Sequence, residues 1–162
     1  MLARVNADNV LTFLHLLAAF WYAAGLTAVQ LPLVSGWRSQ DVMVQAAAFE
    51  EASHYQGVLL VPGAIVAAAS GVFLWTQLGY NLVSTGWLVV LEVLYVFVLL
   101  VCLPLAGMGL RRARLAALEA RKLGRPTPQL REALADNVPL VFAGIATLLV
   151  PVMTYLSVFK PF

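Results

Sequence analysis

Two ionisable side chains lie inside otherwise apolar runs, His15 and Glu92. An ionisable group in a membrane helix is a functional candidate, because burying it in lipid costs free energy. A neutral imidazole in an apolar bundle is a good haem or metal ligand. A carboxylate at its other ring nitrogen would fix the tautomer and raise its basicity. The same two residues also suit a buried polar pair, or two groups satisfied separately by backbone and water. Both readings stand on the residues alone.

Little else in the chain offers chemistry. No nucleotide-binding loop, zinc pattern or nucleophile constellation is present. The single cysteine, Cys102, sits in an apolar run and reads as a packed thiol. Nothing supports nucleic-acid binding; the basic residues find their explanation in membrane topology.

The elements that must position His15 and Glu92 follow from composition. Of 162 residues, 62% are hydrophobic and 11% charged. Soluble domains carry about 25% charged residues. The composition therefore predicts an all-α, polytopic membrane protein, a single domain built as a four-transmembrane-helix bundle in contact with the lipid bilayer. A spanning helix needs about 20 apolar residues, and four segments qualify. They run from about residue 10 to 33, 58 to 78, 87 to 109 and 138 to 159. The first is longer than a signal-peptide core and reads as retained.

Charge sets the orientation. Arg38 lies in the first loop, and Arg111, Arg112, Arg114, Arg121, Lys122, Arg125 and Arg131 in the third, eight of the ten basic residues. The second loop has no charge, and the termini carry Arg4 and Lys160. The positive-inside rule then puts both termini outside and the basic loop, 110–137, in the cytoplasm. Two helices extend past the membrane. With Ser39 as cap and Asp41 in its first turn, the second starts near Gln40, and Pro62-Gly63 kinks it on entering the bilayer. The third runs on to about residue 123, with Gly124 as its C-cap. Thr127 caps a short helix from Pro128 to Asp136. The two extensions either pair as a hairpin, through Asp41, Glu50 and Glu51 against the arginines, or present solvated faces with arginines at lipid headgroups.

Depth relates the candidates. His15 and Glu92 each lie about 7 Å below the outer surface at 1.5 Å per residue. That permits a direct hydrogen bond or a shared ligand. His54 lies near the cytoplasmic surface, about 25 Å from the His15 level, so the two cannot ligate one iron. The second ligand would be Met153, at a similar outer depth, or solvent, with Thr154, Tyr155 and Gln77 as nearby polar groups. Small residues, Ala23-Ala24-Gly25, Ala67 to Gly71, Gly107 and Gly109, mark sites of close helix approach. Trp75, Tyr80 and Trp87 read as an outer aromatic belt.

Several short motifs then suggest relatives. The first helix reads His15-Leu-Leu-Ala-Ala-Phe-Trp21, followed by Ala24-Gly25-Leu26. Val61-Pro62 and Ser70-Gly71 follow in the second, Gly86-Trp87-Leu88 opens the third, and the chain ends Lys160-Pro161-Phe162. The order resembles a bacterial family of predicted integral membrane proteins of unknown function. It is more distantly similar to the HemJ-type membrane protoporphyrinogen oxidases, which bind haem b. That resemblance implies haem b on His15. It does not carry over the oxidase activity, because Leu91 stands where that family has its third-helix lysine.

Two functions are expected on these grounds. One is haem b binding through His15, with Glu92 and Met153 around the site and an electron-transfer role. The other is a non-catalytic accessory subunit of a larger respiratory or photosynthetic membrane complex, or a homo-oligomer. Transport is the weaker class, since few polar groups lie within the membrane.

Overall fold

The computed structural model describes residues 7–82 and 84–161. Arg4 and Phe162, used above, fall outside them. The chain is all-helical. We number its helices α1 (Ala7–Arg38), α2 (Val42–Gln77), α3 (Gly86–Leu123), α4 (Pro128–Ala135) and α5 (Val138–Phe159). Four helical stretches, the last being α4 with α5, are long and apolar enough to cross a membrane.

α1 buries Ala18, Tyr22, Gly25, Leu26, Val29, Leu33 and Gly36. The spacing of three to four residues is one face of a helix. That face meets α2 antiparallel and in constant register. A Cβ on Gly25 would stand 2.7 Å from the Leu60 Cα, and a Cβ on Gly63 would stand 3.1 Å from the Tyr22 Cα. Each helix thus supplies one glycine that lets the other's backbone approach. Toward the bundle end that carries the chain termini, called outer below, Gly71 faces His15; toward the end that carries the basic loop 110–137, called inner below, Gly36 faces the Phe49 ring.

α2 and α3 each stay helical through an internal proline by the same device. A five-residue π-turn, Gln56–Leu60, precedes Val61-Pro62, and another, Val98–Cys102, precedes Leu103-Pro104. The Val61 N–H reaches the Gln56 carbonyl and the Leu103 N–H the Val98 carbonyl. Proline clashes with the carbonyl four residues back in an α-helix. Widening the turn before it removes the clash and keeps the chain helical. So Pro62 follows a wide turn within a continuous helical α2, at the place where a kink was expected.

The inner halves pack tightly. Ala46, Phe49 and Ala52 of α2 belong to one buried cluster with Ala113, Ala117 and Ala120 of α3. The expected hairpin forms, and alanine makes it, not charge. Arg121 lies 3.6 Å from Glu50, with both half-exposed. Such a pair contributes at most about 1 kcal/mol. Trp37 of α1 packs edge-on against Phe49 and donates to the Leu134 carbonyl of α4 at 3.0 Å.

Helix ends follow local chemistry with one correction. Asp41, not Ser39, caps α2: its carboxylate accepts from the Met43 N–H at 2.8 Å. Ser39 Oγ accepts from the Asp41 N–H instead, so it orders the cap and the helix begins at Val42. Gly124 ends α3 with φ of 64°, and Arg125 N–H reaches back to the Ala120 carbonyl. Thr127 caps α4 through the Leu130 N–H, and the helix stops at Ala135, one residue short of Asp136.

The glycine crossing can be checked directly. Gly25→Ala forces a Cβ onto rigid backbone and should lower stability in detergent by about 1–3 kcal/mol. Gly57→Ala meets nothing within 4 Å and should leave stability unchanged or raise it by about 0.5–1 kcal/mol. Thermal unfolding of both variants tests this; equal losses would contradict it.

Candidate functional site

The outer halves of the helices are arranged differently from the inner halves. There α2 (from Val61) packs on α1, and α3 (to Phe97) packs on α5, while the outer parts of α2 and α3 touch only sparsely. Two helix pairs therefore stand side by side. They are joined where the rings of Tyr22 and Tyr95 lie 6.0 Å apart and where Tyr95 Oη donates to the Ala64 carbonyl at 2.6 Å.

His15 lies outward of this junction, two turns from Tyr22 on the same face of α1. Its Nδ1 is 2.9 Å from Ser70 Oγ, and that hydroxyl is 3.1 Å from the Ala67 carbonyl. A carbonyl only accepts, so when the one hydroxyl hydrogen of Ser70 goes to Ala67, Ser70 Oγ accepts from His15 Nδ1–H and Nε2 keeps a free lone pair. When the hydroxyl donates to Nδ1 instead, Nε2 carries the proton. The imidazole lies against Gly71, whose absent side chain makes the room: a Cβ there would be 3.2 Å from His15 Cε1.

Glu92 is one turn outward of Tyr95 and partly buried. Among the described residues its carboxylate has no hydrogen-bond or ion-pair partner. It does not bond to His15, which Ser70 has taken. Counted from the Tyr22–Tyr95 junction, Glu92 is about 4.5 Å outward and His15 about 10 Å. Both lie in the outer part of the bundle, His15 on α1 and Glu92 on α3.

Met153 is buried but sits deeper than His15. Thr147 of α5 bonds to Gln30 of α1 at 2.9 Å, which sets the register of those helices. From that level, Met153 is about 9 Å outward and His15 about 22 Å, a difference of about 13 Å. Gly109 of α3, against Pro139 of α5, gives the same answer, putting Met153 level with Tyr95. The other expected polar neighbours also turn away. Thr154 donates to its own helix at the Val150 carbonyl, Tyr155 is exposed against Phe159, and Gln77 is exposed. His54 is exposed beside Tyr55, at the inner end. No cluster of three or more metal-binding side chains occurs among the described residues.

The sequence matches the family described as predicted integral membrane protein, domain of unknown function 2269, over residues 9–161. The chain belongs to this family. No curated protein and no solved structure matches it. The similarity to membrane protoporphyrinogen oxidases therefore has no support from these comparisons.

For this family member the sequence alone missed three groups. Ser70 counted only as a small packing residue, yet it is the hydrogen-bond partner of His15. Tyr22 and Tyr95 join the two helix pairs; Tyr22 Oη is buried with no partner. A polar hydroxyl at the same helical phase as His15 was the available signal for Tyr22. Lys160, read as a charge for topology, bonds to Tyr80 Oη at 2.9 Å. Its ammonium lies 5.1 Å from the Tyr80 ring and 5.5 Å from the Trp87 ring. The aromatic belt thus holds the end of α5.

The tyrosine junction predicts two graded losses. Tyr95→Phe removes one hydrogen bond and should cost about 0.6 kcal/mol. Tyr95→Ala also empties the ring's space and should cost about 3–5 kcal/mol. Thermal unfolding in detergent distinguishes them; a Phe variant as unstable as the Ala variant would show that the hydroxyl, not the ring, holds the pairs together.

Proposed function

We propose that this integral membrane protein binds haem b in its outer half, with His15 Nε2 as an axial ligand. One observation carries the reading: the relay His15 Nδ1–H to Ser70 Oγ–H to the Ala67 carbonyl. In the tautomer with the proton on Nδ1, this relay holds the ring in place and leaves Nε2 free to bind a metal. The glycine cradle at Gly71 fits the same role, since it admits the ring beside the α2 backbone. Haem bound here would supply one-electron chemistry. Ser70 orients the ligand, Gly71 gives it room, and Glu92 places a carboxylate on α3. Met153 lies about 13 Å deeper than His15 and would not join it in holding the group.

The reading extends to placement. The membrane is the bacterial inner membrane, both termini are outside, and the basic residues 110–137 face the cytoplasm. The charge asymmetry supports this orientation. A second function has its own support. Arg111, Arg125 and Arg131 are exposed, and none forms an ion pair among the described residues. A basic inner surface of this kind suits an accessory subunit docking on an acidic partner. A slow-migrating complex on native gels from mild detergent extracts would favour that function; a lone monomer or homodimer band would count against it.

Protein purified in detergent from haem-replete cells should show a Soret band and a reduced-minus-oxidised difference spectrum. His15→Ala should abolish both, and Ser70→Ala should weaken haem retention. A colourless wild-type preparation would overturn the proposal. For orientation, alkaline phosphatase fused after Lys160 should be active, and fused after Gly124 inactive. The reverse pattern would invert the topology.

A further inference from the structure

We infer that the inner half of the bundle contains a built site for one water molecule, held between the amides of Gln30 and Gln56. A cavity of about 20 Å³ lies where α1, α2, α3 and α5 meet, lined by Leu26, Leu33, Leu60 and Leu103 together with the two glutamines. A space of at least about 10–15 Å³ admits one water, provided that polar partners line it. Nothing larger fits.

The polar partners are there and incompletely used. Thr147 Oγ is 2.9 Å from Gln30 Oε1 and 3.0 Å from the Ala143 carbonyl. A hydroxyl has one hydrogen, so Thr147 occupies one end of the Gln30 amide at most. The other end has no protein partner among the described residues. Gln56 has none for either end of its amide. Its Nε2 sits against the bare Cα of Gly107, so α3 leaves room for that amide. Gln56 also opens the π-turn of α2, and wide turns of this kind are frequent at functional sites. Gln30 is about 12 Å from Arg38 at the inner end of α1. At that depth lipid offers no hydrogen bonds, and an unpaired amide costs several kcal/mol. A water accepting from one amide and donating to the other removes that cost. It also links α1 to α2 just inward of the Gly25–Leu60 crossing. The site is separate from His15 and does not rest on haem binding.

X-ray radiolytic labelling in detergent tests the inference, because a bound water is converted in place to hydroxyl radical and oxidises the side chains beside it. Leu60 and Leu103 should be labelled several-fold faster than Leu130, which is buried away from the cavity. Gln56→Leu removes the amide. Gly107→Ala drives it into the cavity. Both should reduce Leu60 and Leu103 labelling to the Leu130 rate, with helical content retained. If Gln56→Leu does not fold, Gly107→Ala provides the comparison, since the clash there is with the flexible end of a side chain. Labelling of Leu60 and Leu103 no faster than Leu130 in the wild type would overturn the inference. So would fast labelling that persists when the cavity is filled.

Discussion

The rest of the structure depends on the close crossing of α1 and α2. In lipid no hydrophobic driving force draws helices together, so association relies on close packing and on interhelical hydrogen bonds. Gly25 and Gly63 allow backbone approach at two successive levels. Once that contact is made, the antiparallel register follows over the length of both helices. It brings Gly71 and Ser70 to His15, and Phe49 to Gly36 and Trp37. The site and the inner hairpin are consequences of one register.

The second organising device is the pair of π-turns. Each lets a helix pass an internal proline without breaking. The turns also divide α2 and α3 into inner halves that pack together and outer halves that diverge. Inside, alanines of α2 and α3 close the gap. Outside, the bundle is two pairs joined through Tyr22 and Tyr95. His15 and Glu92 face this looser region. The inner half is therefore the more closely packed of the two.

Polar groups inside the membrane are few, and most are satisfied locally. Thr27, Thr76 and Thr154 donate back to their own helices. The exceptions are informative because a buried polar group without a partner is costly. Glu92 and the Tyr22 hydroxyl lie at the looser outer region, and the Gln30 and Gln56 amides line the inner cavity. Trp75 Nε1 and Arg114 Nε are likewise buried without a partner among the described residues.

By itself the sequence determined the class of protein, the number of spans and most helix ends. Those depend on local quantities: the length of apolar runs, the scarcity of charge, Thr127 before Pro128, and Gly124 after a basic turn. It also singled out His15 and Glu92, because an ionisable residue in an apolar run is visible without a fold. The tertiary structure decided what those residues touch. Helical periodicity sets the face of His15 but not which helix meets that face, so Ser70 rather than Glu92 became its partner. Depth counted from each helix's own start gave His15, Glu92 and Met153 a common level. The register of α5 on α1 and α3, fixed by Thr147–Gln30 and Gly109–Pro139, moved Met153 inward. Pairing between helices is a property of several segments at once, and no single segment carries it.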